Sequence, residues 1–164
     1  MFGKLFKKKE EVTVIALTAP VNGKTVALED VPDPVFAQKM MGDGIAVEPA
    51  DGEVVAPVDG KIVQVFPTKH AVGILAENGS EILIHIGLET VSLDGEGFIS
   101  HVEEGDRVKQ GDSLISFDLE VVGEKAKSTV TPMIVTNTDD MSEITIEGKD
   151  AVTAGKDELV VVKK

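Results

Sequence analysis

Cysteine is absent from the chain, which excludes thiol catalysis and thiolate metal sites and fits a reducing compartment. Positive charge is scarce as well. Sixteen Lys and Arg face twenty-nine Asp and Glu, for a net charge of -13, so there is no general basic field for the phosphates of a nucleic acid. No apolar run approaches the length that spans a bilayer, and the N-terminus lacks the apolar segment and small-residue cleavage site of a secretory signal. These absences lead to the expectation of a cytoplasmic protein with no nucleic-acid partner, whose acidic surface suits a basic protein partner. What is present is enough for one sizeable core: 164 residues of which 42% are hydrophobic, with nothing that asks for a second domain.

The charge is unevenly spread. The first nine residues, Met1-Phe2-Gly3-Lys4-Leu5-Phe6-Lys7-Lys8-Lys9, hold four lysines and no acid, so the remainder carries twelve basic against twenty-nine acidic side chains, net -17. Residues 1–11 are read as a flexible basic leader, whose Phe2, Leu5 and Phe6 among lysines suit weak contact with a membrane surface. Residues 12–164 are read as a single domain.

From Val12 onward the pattern is that of a β protein. Short β-branched or alternating runs recur at Thr13–Leu17, Ile45–Val47, Ile62–Phe66, Ile82–Ile86, Ser113–Phe117, Val130–Val135 and Leu159–Val162, separated by glycine-rich turns. Helix is confined to a brief turn after Pro34, through Met40, and to Leu119–Lys125. This balance predicts an all-β fold, an antiparallel sandwich or barrel. The chain also repeats itself: Ala19-Pro20-Val21-Asn22-Gly23-Lys24-Thr25-Val26 returns thirty-seven positions later as Ala56-Pro57-Val58-Asp59-Gly60-Lys61-Ile62-Val63. Thr131-Pro132-Met133-Ile134-Val135 is a fainter third copy. Each proline is expected at a strand edge or bend, because it has no N–H to donate, and the repeat points to internal duplication.

One stretch carries the chemistry. Asn78-Gly79 lies between two apolar runs and is a strong hairpin signal. With Asn78 and Gly79 as a two-residue loop, His85 opposes Val72 and Gly87 opposes His70. Val72, Ile74, Leu83, His70 and His85 then share one face, while Leu75, Ile82, Ile84 and Ile86 take the other. The two histidines become diagonal neighbours within reach of each other. A three-residue loop would place them on opposite faces.

The residues allow three readings of this pair: two strand histidines with no role, phosphoryl carriage and a zinc site. His101, in the polar stretch His101-Val102-Glu103-Glu104-Gly105-Asp106, is expected to be a surface residue with no role, and a lone strand histidine would be read the same way. Two imidazoles beside apolar neighbours suit phosphoryl carriage instead: a neutral ring nitrogen is a nucleophile, and a second imidazole can donate a hydrogen bond to phosphoryl oxygens. A zinc-dependent hydrolase, in which His70 and His85 would be joined by a carboxylate and water, falls well behind, because Gly87 stands where peptidoglycan metallopeptidases carry a second histidine and the export signal such enzymes need is missing. A further stretch, Glu103 to Leu114, is similar to a hairpin of biotinyl and lipoyl carriers, but the residues around Lys125 and Lys127 do not match a modified lysine.

Pro32-Asp33-Pro34-Val35-Phe36-Ala37, Gly42-Asp43-Gly44-Ile45-Ala46, Val55-Ala56-Pro57-Val58-Asp59-Gly60, Thr68-Lys69-His70-Ala71, Ile84-His85-Ile86-Gly87, Leu93-Asp94-Gly95-Glu96-Gly97-Phe98 and Glu124-Lys125-Ala126-Lys127-Ser128 together resemble the glucose-family enzyme IIA component of the bacterial sugar phosphotransferase system. The resemblance runs in order from Val12 to the C-terminus. It implies a duplicated hybrid motif and a phosphotransferase component needing no cofactor. His85 would accept a phosphoryl group from the histidine-containing phosphocarrier protein and pass it to a cysteine of a permease IIB domain, bringing the protein transiently to the membrane. His70 would bind the phosphoryl oxygens, Thr68 would orient His70, and the Gly87 backbone would orient His85. The resemblance implies a docking surface of Val35, Phe36, Met40, Met41, Ile45, Phe66, Leu83 and Val91, with Asp33 and Glu89 meeting basic residues of the donor. It also implies regulatory target proteins, and zinc at His70 and His85 only when a partner adds a ligand. Met40, Met41, Leu83 and Glu89 depart from residues common in the family, and adaptable methionines suit a surface that meets several partners.

Overall fold

The computed structural model describes residues 12–164; the basic leader and its membrane contact lie outside the described residues. In chain order the strands are β1 Val14–Thr18, β2 Gly23–Val26, β3 Asp43–Pro49, β4 Glu53–Val55, β5 Gly60–Val65, β6 Ala71–Ala76, β7 Glu81–His85, β8 Phe98–Ser100, β9 Arg107–Val108, β10 Ser113–Phe117, β11 Thr131–Val135, β12 Glu143–Ile146 and β13 Glu158–Lys163. Two short α-helices accompany them, α1 Pro34–Ala37 and α2 Leu119–Lys125. Both begin on an aspartate whose carboxylate accepts backbone N–H groups, Asp33 from Val35 and Asp118 from Glu120 and Val121. Pro34 in the first turn of α1 has no N–H to leave unpaired.

The strands form a seven-stranded sheet in the order β2-β3-β11-β7-β6-β5-β9 and two three-stranded sheets, β1-β13-β12 and β4-β10-β8. Every strand pairing is antiparallel, as expected for an all-β sandwich. One face of the large sheet presents Ile45, Met133, Ile84, Val72, Ile74 and Ile82 to Leu17, Val160 and Val162 of one small sheet and to Leu114, Ile115 and Phe117 of the other. The opposite face carries a second, smaller cluster, in which Leu28, Val31 and Phe36 cover Ala46, Ala71, Leu83 and Ile134. The histidine pair belongs to this second face.

The internal repeat is visible as a pair of reciprocal bonds. Thr18 donates its backbone N–H to the carbonyl of Pro57, and Val55 donates its own to the carbonyl of Pro20. Each residue of the first bond is thirty-seven positions from its counterpart in the second, so the two copies clasp each other about a local two-fold. Ala19 and Ala56 are alike too: each carbonyl accepts from a glycine N–H, of Gly155 and Gly111 respectively. The third copy departs from expectation. Pro132 is neither at an edge nor at a bend but within β11, between β3 and β7. The ladder to β7 begins one residue later, at Met133, so the sheet has no β7 bond at Pro132 to lose.

Candidate functional site

The β6–β7 hairpin has a different register from the one the sequence suggests. Leu75 opposes Glu81 and Ala71 opposes His85, so the loop is Glu77-Asn78-Gly79, three residues rather than two. The Gly79 N–H donates to the Ala76 carbonyl at 3.0 Å, and Gly79 has φ +90°, the geometry of a type I turn closed by one left-handed residue. Asn78 is not in the left-handed region at all. Its buried side chain donates to the carbonyls of Thr13 and Val162 and accepts from the Ser80 N–H and hydroxyl. Asparagine is here to fasten the hairpin tip to β1 and β13, and that tertiary contact sets the loop.

The shift reverses the expected faces: Val72 and Ile74 join Ile82, Ile84 and Ile86 in the main core, while His85 lies beside Ala71 and Leu83 on the opposite side. The histidines still meet, because His70 is not on the strand ladder. The chain turns sharply through Pro67–His70, with Lys69 left-handed at φ 62°, the Lys69 N–H donating to Phe66 and the Phe66 N–H to Ala71. His70 therefore lies in the bend before β6, free of the strict alternation that would have sent its side chain into the core. Its carbonyl accepts the Ile86 N–H at 2.7 Å, which holds this bend against the residue after His85.

The two rings lie edge to face, 4.9 Å between centroids at 78°. Phe36 packs against His85 at 5.2 Å and Phe66 against His70 at 5.4 Å. The Nδ1 of His85 is 2.8 Å from the carbonyl oxygen of Gly87; a carbonyl can only accept, so Nδ1 carries the proton and Nε2 of the neutral ring keeps its lone pair. The Nδ1 of His70 is 2.5 Å from the Thr68 hydroxyl. Burial, and then the neighbouring His85, lower the His70 pKa from 6.5 to about 4. Burial lowers that of His85 too, opposed by its bond to Gly87 and by the Asp33 carboxylate. Both rings are neutral at pH 7.

The residues expected at the site divide. Thr68, His70, His85 and Gly87 come together as described. Phe36 and Phe66 flank the rings, with Phe36 itself buried, and Leu83 is buried under the same cluster. Val35, Met40, Met41 and Val91 are exposed, and Met40 and Met41 line a cleft with residues 136–140. Glu89 is exposed and left-handed at φ 59°. Ile45 does not belong to this surface. It is 2% exposed and packs with Met133 and Ile84 in the main core, on the far side of the sheet, so it offers nothing to a docking partner. Among the described residues, no three His, Asp or Glu side chains gather where they could hold a metal ion; two imidazoles fall short of the three protein ligands of a catalytic zinc. Lys125 ends α2 and pairs with Glu96 rather than projecting from a β-turn. Thr90, fully buried at the base of the loop after His85, is absent from the sequence-based site.

The family described as phosphoenolpyruvate-dependent sugar phosphotransferase system, EIIA 1, matches residues 15–141. The chain belongs to this family. The PTS system glucose-specific EIIA component of Halalkalibacterium halodurans is 57% identical over 99% of this chain and 98% of its own length. The protein of the same name from Bacillus cereus is 56% identical over the same shares. Among solved structures, glucose permease IIA from Mycoplasma capricolum is 40% identical, covers 92% of this chain and 96% of its own, and superposes with a TM-score of 0.84. The curated relatives thus match over nearly the whole chain, and the solved structure shares its β-sandwich fold. As a member of this family the protein is a phosphotransferase component in sugar transport. Neither the family nor these relatives support a zinc hydrolase. Among the described residues no helix is long and apolar enough to cross a membrane.

Proposed function

We propose that His85 is the phosphoryl acceptor of a cytoplasmic carrier that serves sugar uptake, with glucose as the sugar that the relatives' names suggest. The observation that carries the reading is the Gly87 carbonyl on His85 Nδ1, which leaves Nε2 as a nucleophile beside a second neutral imidazole. In the first step Nε2 attacks the phosphorus of a phosphohistidine on the phosphocarrier protein; the new N–P bond forms as the donor's N–P bond breaks and its imidazole leaves. The proton stays on Nδ1, so the modified ring is an imidazolium and a good leaving group. In the second step a cysteine thiolate of the permease IIB domain attacks the same phosphorus, the Nε2–P bond breaks, and His85 is regenerated neutral.

Phosphoryl transfer of this kind passes through a loose transition state and needs position and charge compensation more than covalent help. His70 supplies the compensation. With the Thr68 hydroxyl donating to its Nδ1, His70 keeps its proton on Nε2 and can donate it to a phosphoryl oxygen. Phe36 and Phe66 exclude water from the pair. The exposed Val35, Met40, Met41 and Val91, with Asp33 and Glu89 for basic residues, form the surface on which donor and permease dock in turn. Docking on the permease brings the protein transiently to the membrane, and target proteins that read its phosphorylation state would use the same face. The residues present do not make a self-contained zinc site, so zinc would require ligands from a partner, and no step passes through it.

The test is incubation with the energy-coupling enzyme, phosphoenolpyruvate and the phosphocarrier protein. One acid-labile phosphoryl group mapping to His85 is expected, and labelling that survives loss of His85 refutes the reading.

A further inference from the structure

We propose that Thr90 is a positioning residue for His85, acting through the peptide between Ile86 and Gly87 to hold the Gly87 carbonyl on Nδ1. Thr90 is fully buried, and its hydroxyl donates to the Ile86 carbonyl at 2.7 Å. The Ile86 N–H in turn donates to the His70 carbonyl, so the backbone of one residue is tied to His70 on its amide side and to Thr90 on its carbonyl side. The following peptide, which carries the Gly87 carbonyl, is held at its other end by the Leu88 N–H donating to Ser128, and the one after it by the Leu88 carbonyl accepting from Lys127. Between these anchors Gly87 is left-handed, at φ 73°, and its carbonyl is the one that accepts from His85 at 2.8 Å. A Cβ on Gly87 would come within 2.7 Å of the Thr90 methyl, so Thr90 uses both branches, the hydroxyl to pin Ile86 and the methyl to fill the space against Gly87.

Without the hydroxyl, the buried Ile86 carbonyl has lost a partner and the 86–87 peptide gains by rotating toward another. Rotation there displaces the Gly87 Cα and pulls the following peptide against its Leu88–Ser128 bond, which draws the Gly87 carbonyl off His85; the imidazole is then free to move its proton to Nε2, the atom that must attack. The inference rests on the phosphoryl-acceptor reading for its consequence, though not for its geometry.

The experiment compares Thr90→Val, which keeps the shape and loses the hydroxyl, with Thr90→Ser, which does the reverse. Long-range proton–nitrogen NMR spectra of the imidazoles report the tautomer of His85 directly, with His101 as the control ring in the same sample. The wild type and Thr90→Ser are expected to hold the proton on Nδ1. Thr90→Val is expected to show a mixed or Nε2-protonated ring, and about tenfold or more slower phosphoryl acceptance, at an unchanged His101 signal. A wild-type His85 tautomer in Thr90→Val overturns the proposal, as does an equal tautomer change in Thr90→Ser. Should Thr90→Val not fold, loss of the Nδ1 proton in Thr90→Ser overturns it and wild-type retention there supports it. If wild type takes no phosphoryl group at all, the functional reading fails while the tautomer comparison still decides the role of Thr90.

Discussion

His70 and His85 face each other at 4.9 Å although they occupy unmatched positions, His85 on the β7 ladder opposite Ala71 and His70 in the bend just before β6. The two rings are therefore held by independent devices, the Thr68 hydroxyl for one and the Gly87 carbonyl for the other. Separate partners on the two rings suit the different roles proposed for them.

Replacing each ring should separate those roles. His85→Gln is expected to abolish phosphoryl acceptance. His70→Gln should still accept, but onward transfer to a IIB cysteine should slow by about a hundredfold or more, the usual cost of losing one transition-state donor. Intact-mass measurement of the phosphorylated form and a single-turnover transfer assay give the two readouts. Onward transfer at the wild-type rate would remove His70 from the mechanism.

Acid should destabilise the fold through the same pair. The folded His70 has a pKa of about 4 against 6.5 for an ordinary histidine, and His85 is also lowered. Between those values the unfolded chain binds more protons than the folded one. The stability is thus fully present above about pH 6.5 and is lost as pH falls toward about pH 4. For His70 alone the loss is roughly 3 kcal/mol. Urea midpoints measured from about pH 7.5 to about pH 4.5 should fall in the wild type and fall less in His70→Gln. Parallel pH profiles for the two proteins would show that His70 is not the group responsible.

Much of this was legible in the sequence, and the failures have local causes. The seven β-branched runs overlap strands, and Pro34 and Leu119–Lys125 mark the two helices. Strands β4, β8 and β9 are only two or three residues long, too short for a period to show, and exist because partners pair with them. The Asn78-Gly79 signal located the hairpin but misjudged its loop, because Asn78 serves Thr13 and Val162, far away in the chain. Ile45, which the resemblance alone placed on the docking surface, lies on the other face, in a stretch where Gly44, Ile45, Ala46 and Val47 are all buried. A strand covered on both sides has no polar alternation to say which residue faces the histidines. The bend at Lys69 and the bond of Thr90 depend on a left-handed turn and a buried hydroxyl, which only the folded chain displays.

Loss of the Asn78 side chain should weaken the fold without touching the chemistry. Asn78→Ala leaves two carbonyls and the buried Ser80 hydroxyl short of partners, a cost of about 2–3 kcal/mol. Asn78→Asp should cost at least as much, since a carboxylate would face the Thr13 and Val162 carbonyls with nothing to donate. The tip lies at the opposite end of the strands from His85, so phosphoryl acceptance in the folded fraction should match the wild type. Urea unfolding measures the first effect and initial labelling rates the second. A slowed rate with unchanged stability would mean that the tip communicates with the site.

Two left-handed glycines give the sharpest contrast. Gly87→Ala and Gly79→Ala both force alanine into a conformation that costs about 1 kcal/mol, at φ 73° and 90° respectively. Their surroundings differ. At Gly79 the nearest heavy atom to a new Cβ is the end of the Lys164 side chain, 3.9 Å away, whereas at Gly87 it meets the Thr90 methyl at 2.7 Å and the Ser128 carbonyl at 2.9 Å. Neither neighbour can give way freely, because the Thr90 hydroxyl is bonded to Ile86 and the Ser128 carbonyl to Leu88. Gly79→Ala should therefore lose only the conformational cost and keep its labelling rate. Gly87→Ala should lose a further 1–3 kcal/mol, roughly the cost of overpacking, and should accept phosphoryl groups far more slowly because the carbonyl on His85 has moved. Equal stability and equal labelling rates in the two variants would show that the loop after His85 yields easily, and that its geometry does not control the nucleophile.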